Sequence, residues 1–430
     1  MAEVLLITPY FWPEVAPTVP LMKALAEDLA KSGHHVRVLT STPSHSALLI
    51  HKKLSSDSIH HQYPSGINIK RVRNPFARKP GVLWKLLDYA WFSLWVTFRV
   101  VFARRADVYI VSSNPPLLAL PIGLLGRVKR FATIYDLQDL FPDSAAAAGM
   151  ITRSSLLYRI LRRLERWTYI IADCNVTICQ SYAQHVRETA PMARVEIIPN
   201  WVDTNTMQPV PRESNIFRKT AKLNKGFVVL YAGTIGFLQD MQVLLKAASL
   251  LKDVPDISFV IVGDGPQKEE MVRKAQELGL NNCAFLGFQP DELVPHVYSS
   301  GDVGVIPMRP ESDPMPSKTW GFMACARPVI ASIDLDSELA ARLRETGAGM
   351  VVPCGDASAL AKAIFELYRD AERREAMGCA AREYVVHNLS RDTITSRYEQ
   401  LVRMFASSVS GQEITGNTHK SKRNRVRCLS

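Results

Sequence analysis

Short apolar runs alternate with amphipathic segments in the first half of this chain. The runs Val4–Thr8 and Val36–Thr40 flank Thr18–Lys31, in which leucine and methionine recur at helical spacing. Residues three or four apart share one face of a helix, whereas a short apolar run is typical of a buried strand. The pattern therefore predicts a β-α-β unit. Further predicted strands are Val108–Ser112, Thr133–Tyr135 and Val195–Pro199.

The same alternation starts again after the polar stretch 209–225. A helix is predicted at Asp240–Leu251, and the predicted strands are Phe227–Tyr231, Ile257–Val262, Cys283–Leu286, Val303–Ile306, Val329–Ala331 and Met350–Val352. Two successive β/α blocks predict an α/β protein with two doubly wound, Rossmann-like domains. Ligands of such sheets bind beyond the carboxyl ends of the strands, so we expect the two domains to face each other across a ligand cleft.

The pattern also predicts where the domains begin and end. We assign residues 1–205 to an N-terminal domain and 206–384 to a C-terminal domain. The last helical stretch, Asp370–Met404, is long enough to return, so we expect 385–405 to pack on the first domain. Residues 406–430 form a basic tail that we expect to be disordered.

Composition narrows the class of protein. A chain of 430 residues is too long for a single core. No clean transmembrane helix is predicted. The N-terminus lacks the basic region of a signal peptide. The seven cysteines include no CxxC pair, which favours reduced thiols in a cytoplasmic protein without a metal site.

Positive charge is concentrated in one segment. The net charge is +11, and residues 51–105 hold eleven lysine and arginine residues against two aspartates. Such a segment favours an anionic surface as partner, although an ordinary solvated face is the alternative. Within it, residues 82–103 carry three tryptophans, with basic pairs on both sides. This stretch is either a core helix or a helix in the interface of an anionic membrane. Nothing in the pattern indicates a nucleic acid partner.

Three turns at predicted strand ends carry candidate chemistry. YAGTIG supplies Gly233, Thr234 and Gly236, and VGDGP supplies Gly263, Asp264 and Gly265. Glycines let the backbone approach a phosphate, and the following helices direct amides towards it. PSK supplies Ser317 and Lys318, whose ammonium could hold a diphosphate. Asp264 could accept from a hydroxyl or cap its helix.

The order of these motifs resembles a known enzyme family. YAGTIG, VGDGP, GDVGVIPM and PSKTWGFMACARPVIA resemble the second domain of retaining family-four glycosyltransferases with the GT-B fold. TPYFWPE, SNPPL, DLQDLFPDS and IIPNWVD resemble the first domain. The subgroup that looks most similar is the bacterial surface-polysaccharide fucosyl and N-acetylfucosaminyl transferases. The resemblance implies a UDP- or GDP-linked sugar donor, a glycan or polyprenyl-linked acceptor, no metal and no cofactor.

Some positions depart from the family pattern. Thr234 and Gln239 stand where the family commonly places an arginine and a lysine on the diphosphate, and Gly321 stands at a glutamate that holds the ribose. Lys318 is the expected substitute for the basic pair. Glu311 or Asp313 is the expected substitute for the glutamate.

Three aspartates are candidates on the acceptor side. Asp136, Asp139 and Asp143 follow a predicted strand of the first domain. We take Asp139 as the candidate that orients or deprotonates the acceptor hydroxyl, and helix capping as its alternative role.

The sequence thus predicts a retaining glycosyltransferase of cell-surface polysaccharide synthesis, peripheral at the cytoplasmic face of the cell membrane. Two alternatives remain open: an inactive GT-B module that serves as a scaffold, and an epimerase or phosphorylase on the same fold.

Overall fold

The computed structural model describes residues 1–14, 16–43, 67–76, 82–147, 149–223, 226–310 and 315–415. These residues form two compact units. Unit 1 comprises Met1–Thr177, Ala183–Glu196 and the chain from Thr395. Unit 2 comprises Ile178–Tyr182 and Ile197–Ile394.

Unit 1 is built on a seven-stranded sheet. Its strands are β1 Glu3–Ile7, β2 His35–Ser41, β3 Asn68–Val72, β4 Val108–Ser112, β5 Ala132–Leu137, β6 Cys174–Thr177 and β7 Val195–Ile197. The strand order is β3-β2-β1-β4-β5-β6-β7, and the pairs from β3 to β6 are parallel. Every residue of β4 and β5 is buried, as expected when helices cover both faces. The helices are α1 Val19–Lys31, α2 Val82–Phe102, α3 Ala119–Lys129, α4 Asp143–Ala147, α5 Leu156–Ile171 and α6 Gln180–Thr189.

Unit 2 repeats this architecture with six parallel strands. They are β8 Phe227–Ala232, β9 Ile257–Val262, β10 Cys283–Leu286, β11 Val303–Pro307, β12 Val329–Ile333 and β13 Gly349–Pro353, in the order β10-β9-β8-β11-β12-β13. The helices are α7 Ile216–Thr220, α8 Met241–Leu250, α9 Lys268–Glu277, α10 Val294–Ser300, α11 Lys318–Ala324, α12 Glu338–Thr346, α13 Ala357–Arg369 and α14 Ala371–Asn388. The prediction of two doubly wound parallel sheets is confirmed.

The C-terminal stretch is two helices and not one. α14 ends at Asn388, Leu389 and Ser390 are not helical, and α15 spans Arg391–Thr415. Hydrogen bonds tie α15 to unit 1: Thr395 Oγ1 donates to Asp28 at 3.0 Å, and Tyr398 Oη donates to Asp136 at 2.8 Å. The tail expected from residue 406 is helical as far as Thr415, because Val409 is buried. Residues 416–430 lie outside the described residues.

Candidate functional site

The glycine turns after β8 and β9 are joined to each other at the carboxyl end of the unit 2 sheet. Gly233 N–H donates to the Val262 carbonyl at 2.9 Å, and Ile235 N–H donates to the Asp264 carbonyl at 2.9 Å. Gly263 has φ 140°, and a Cβ there would lie 2.0 Å from the Gly233 carbonyl oxygen. The close approach of the two backbones therefore requires glycine at this position. We call these two turns the glycine platform.

Lys318 lies over the glycine platform. Its Nζ donates to Tyr231 Oη at 2.8 Å and stands 4.6 Å from the centre of the Tyr231 ring. A Cβ at Gly233 would lie 2.9 Å from the same nitrogen. Tyr231 Oη in turn donates to the Thr234 carbonyl. The structure thus brings together Lys318, Gly233 and Thr234, and it adds Tyr231, which the sequence analysis did not single out.

The remaining turn residues hold the backbone in shape. The Gln239 side chain accepts from Gly236 N–H at 3.1 Å, and its backbone forms a bridge with Met308 after β11. Gln239 therefore fixes the first turn and supplies no charge. Ser317 is exposed and precedes α11 without a side-chain capping bond.

Asp264 is exposed and holds its own turn. Its Oδ1 accepts from Gly265 N–H at 2.8 Å, and its Oδ2 lies 3.3 Å from Lys268 Nζ. These two contacts, the first more than the second, lower the pKa of the Asp264 carboxyl. Asp264 does not cap α9, because the N-cap residue of that helix is Gln267. The predicted ribose contacts Glu311 and Asp313 lie outside the described residues.

Gly321 is not placed to meet a ribose. It is buried in α11, and a Cβ there would lie 2.7 Å from the Tyr298 ring. That ring packs edge-on against Phe322, with centroids 4.8 Å apart. Gly321 aligns with the family glutamate, but a side chain at this position would meet the Tyr298 ring, because the space beside it is filled by that aromatic side chain.

Of the acceptor-side aspartates, only Asp139 is exposed. Asp136 has no exposed surface and accepts from Tyr398 Oη and, at 3.1 Å, from Gln138 Nε2. Its place against α15 rules out the predicted acceptor contact and gives it a structural role. Asp143 accepts from Tyr158 Oη at 2.6 Å and lies 3.5 Å from an Arg162 nitrogen. Asp139 stays our candidate for the acceptor hydroxyl.

Asp136 makes the stability of unit 1 depend on pH. Burial raises the pKa of this carboxyl from 3.8 to about 6, opposed by the hydrogen bonds from Tyr398 and Gln138. Its contribution to the free energy of unfolding is therefore greatest below pH 3.8 and is lost as pH rises through 6. Relative to an Asp136→Asn variant, the wild type should gain on the order of 2 kcal/mol of unfolding free energy between pH 7 and pH 4. Denaturant unfolding of both proteins across this range measures the difference. Parallel pH profiles of the two proteins would contradict it.

The described part of the chain offers neither a metal site nor a membrane-spanning helix. It holds no group of three or more histidine, cysteine, aspartate or glutamate side chains arranged for a metal ion. None of its helices is long and apolar enough to cross a membrane.

Comparison with known proteins gives matches over both units. Residues 20–201 match the Glycosyl transferase 4-like domain, and residues 212–384 match Glycosyl transferases group 1. WbjE of Pseudomonas aeruginosa, named as a glycosyltransferase, is 29% identical over 64% of this chain and 69% of its own. WcaI of Escherichia coli (strain K12), whose name places it in colanic acid biosynthesis as a glycosyl transferase, is 26% identical over 88% of this chain and 94% of its own.

A solved structure shares the fold. Anabaena Alr3699/HepE, crystallised with UDP and glucose, superposes with a TM-score of 0.70 over 94% of this chain and all of its own, at 17% identity.

Proposed function

This chain belongs to the group 1 glycosyltransferases and has the GT-B fold, and from that membership we propose that it moves a sugar from a nucleoside-diphosphate sugar to a glycan or polyprenyl-linked acceptor with retention. We place this transfer in cell-surface polysaccharide synthesis. The name of WcaI, which places that relative in colanic acid biosynthesis, supports this assignment. The fucosyl and N-acetylfucosaminyl subgroup remains our proposal for the sugar.

The observation that carries the proposal is the position of Lys318. Its ammonium lies beside Gly233 at the carboxyl end of β8. In doubly wound sheets this edge is where ligands bind. A lysine ammonium next to glycine backbone can bind a diphosphate, because no side chain blocks the approach of the phosphate oxygens. Lys318 therefore takes over the role of the arginine and lysine that Thr234 and Gln239 do not supply.

The proposed chemistry asks little of protein side chains. Lys318 stabilises the negative charge that develops on the leaving diphosphate. Asp139 holds the acceptor hydroxyl on the face of the sugar from which the diphosphate departs, so that the configuration is retained. We propose that neither a metal nor a cofactor takes part.

A transfer assay tests this function. Purified protein is incubated with UDP- and GDP-linked sugars and a polyprenyl-linked or oligosaccharide acceptor, and the anomeric configuration of the product is read by NMR. We expect transfer with retention for at least one donor. Inverted product would overturn the mechanism. Donor binding without transfer to any acceptor would favour the scaffold alternative.

The outer surface of one helix layer in unit 1 supports a peripheral membrane location. Helices α2, α3 and α5 are neighbours, and Lys129 Nζ of α3 donates to the Val100 carbonyl of α2 at 2.9 Å. Large apolar side chains project from all three helices into solvent: Leu94, Phe98 and Phe102 from α2, Val128 from α3, and Leu156 and Trp167 from α5. We call this surface the apolar layer.

The charged residues of the three helices that form the apolar layer are mostly basic. The three helices hold eight lysine and arginine residues and only two acidic ones. Asp88 accepts from the Asn74 side chain, and Glu165 is buried with Tyr169 Oη at 2.7 Å. Exposed aromatic and basic side chains together suit the interface of an anionic bilayer. We propose that the apolar layer docks on the cytoplasmic leaflet, where a lipid-linked acceptor would lie. The sequence assigned this contact to residues 51–105, of which 51–66 and 77–81 lie outside the described residues.

Replacing Arg159, Arg163 and Arg166 of α5 with glutamine should reduce binding to anionic vesicles. Each basic residue near an anionic leaflet contributes about 1 kcal/mol, so the partition coefficient should fall by roughly 100-fold. Sedimentation with vesicles of anionic and of neutral lipid, at low and high salt, measures the effect.

A matched control removes three exposed arginines of unit 2, Arg273, Arg344 and Arg373. This control should sediment like the wild type, because those residues lie outside the apolar layer. Equal loss in both triple variants would mean that total charge governs binding. If the wild type bound anionic and neutral vesicles equally, the basic residues would be ordinary solvated side chains without a role in membrane binding.

A further inference from the structure

A cavity of about 300 Å³ that is wide open to solvent lies at the edge of the unit 2 sheet opposite the glycine platform. Its lining includes Arg212, Phe227, Asp256, Asp302, Tyr368 and Arg374. Phe227 begins β8, Asp256 precedes β9 and Asp302 precedes β11. Because the strands are parallel, these residues share the amino-terminal edge of the sheet. The cavity is therefore separate from the donor site proposed above.

Positive charge exceeds negative charge around this cavity. Arg212 Nη1 lies 3.5 Å from Asp302 Oδ1, and Arg218 Nη1 lies 3.7 Å from Asp302 Oδ2. The same carboxylate also accepts from Val228 N–H at 2.8 Å. Two arginines and two aspartates line the cavity, and the excess of positive charge comes from Arg218 and Arg327 behind Asp302. A single aspartate, Asp302, serves at least two of these arginines.

Two arginines behind the cavity, one buried and one half-buried, have side-chain nitrogens without a hydrogen-bond partner in the described part of the chain, although Arg218 Nη1 donates to the Ser300 carbonyl. Arg218 is 3% exposed, and among the described residues its Nε and Nη2 have no hydrogen-bond partner. The same is true of Nε of Arg327. Burial lowers the pKa of both guanidinium groups, and Asp302 opposes the change. Buried cations without full compensation create a positive potential that favours an anion nearby.

The walls suit a small phosphorylated molecule. The guanidinium carbon of Arg374 lies over the Phe227 ring, 5.2 Å from its centre. Tyr368 Oη donates a hydrogen bond to the Asp256 carboxylate at 3.2 Å. Guanidinium groups present paired N–H donors that match phosphate oxygens. The volume is at the lower end of the range for small-molecule sites. We propose that this cavity binds a phosphate-bearing small molecule, with Arg212 and Arg374 as its direct contacts.

The test measures phosphate binding with the donor site disabled. In a Lys318→Ala background, calorimetry follows titration with inorganic phosphate and, separately, with glucose 6-phosphate. We expect saturable binding of at least one, and tighter binding of glucose 6-phosphate if the occupant is a phosphorylated sugar. Adding Arg212→Gln or Arg374→Gln should weaken binding by at least about tenfold, the cost of one charge-assisted hydrogen bond. Absence of binding to both probes would overturn the proposal.

Two further variants test whether these arginines bind an anion or only stabilise the fold. Asp256→Asn removes a negative wall charge, and its amide oxygen can still accept from Tyr368, so phosphate binding should tighten about threefold or more. Arg373→Gln, next in sequence to Arg374 but paired with Glu366 at 3.4 Å, should leave binding unchanged. If Asp256→Asn weakens binding, or if Arg373→Gln weakens it as much as Arg374→Gln does, the assignment is wrong.

Discussion

The Lys318→Ala variant should bind nucleoside diphosphates about 10- to 150-fold more weakly than the wild type, a loss of about 1.5–3 kcal/mol. The three atoms nearest to a Cβ added at Gly233 all belong to Lys318, and its Nζ would lie 2.9 Å away. Removing this ammonium takes away the cation beside Gly233, whereas Lys268, the other lysine near the platform, is paired with Asp264. Calorimetric titration of both proteins with the preferred nucleotide measures the loss.

The matched control for this prediction is Lys274→Ala. Lys274 lies on α9 of the same unit, and its Nζ is paired with Glu270 at 2.7 Å. Its removal should change nucleotide affinity by less than about twofold. An affinity loss below about 0.5 kcal/mol in Lys318→Ala, with the fold intact by circular dichroism, would contradict the role given to Lys318.

Substitution of Gly321 should lower the stability of unit 2 strongly. Any Cβ at this position would lie 2.7 Å from the Tyr298 ring, and the position is buried. We expect Gly321→Ala to cost about 1–3 kcal/mol of unfolding free energy, the usual range for overpacking. Gly321→Glu adds the burial of a carboxylate and should cost more than about 3 kcal/mol. Thermal and denaturant unfolding measure both losses.

Two controls identify the cause of this loss. Gly287→Ala should be nearly neutral, because the nearest atom to a Cβ there is Lys268 Nζ at 3.9 Å. Tyr298→Leu combined with Gly321→Ala should be less destabilising than the sum of the single changes, because the smaller side chain makes room. If Gly321→Glu had the melting temperature of the wild type and bound nucleotide more tightly, the position would contact the ribose and this account of its packing would be wrong.

The apolar runs predicted most strands because parallel strands are covered on both faces. β4, β9 and β10 match their predicted bounds, β8, β11 and β12 are one or two residues longer at the carboxyl end, and β13 is one residue longer at each end. Two strands escaped prediction. β3 (NIKRV) is an edge strand with basic side chains, and β6 (CNVT) buries an asparagine whose Nδ2 donates to the Tyr169 carbonyl. Polar residues with tertiary partners give no apolar run, so periodicity could not reveal these strands.

The candidate site was predictable where the backbone itself limits the residue type. Gly233 and Gly263 adopt positive φ values in turns that touch, and Lys318 is the last residue of a recognisable PSK motif. The roles of Tyr231 and Asp136 depend on partners 87 and 262 residues away. Burial of that kind is invisible in a local pattern. The packing of Gly321 could not be predicted either, because alignment to a motif says nothing about the Tyr298 ring beside it.

The central claim is that Lys318 and the glycine platform form a working donor site although the basic pair and the glutamate of the family are missing. Calorimetric titration of the wild-type protein with UDP, GDP, ADP and dTDP tests it most directly. We predict one-to-one binding of at least one of these diphosphates, and weaker binding of the matching monophosphate. A folded protein that binds none of the four would contradict the claim and leave the scaffold alternative in its place.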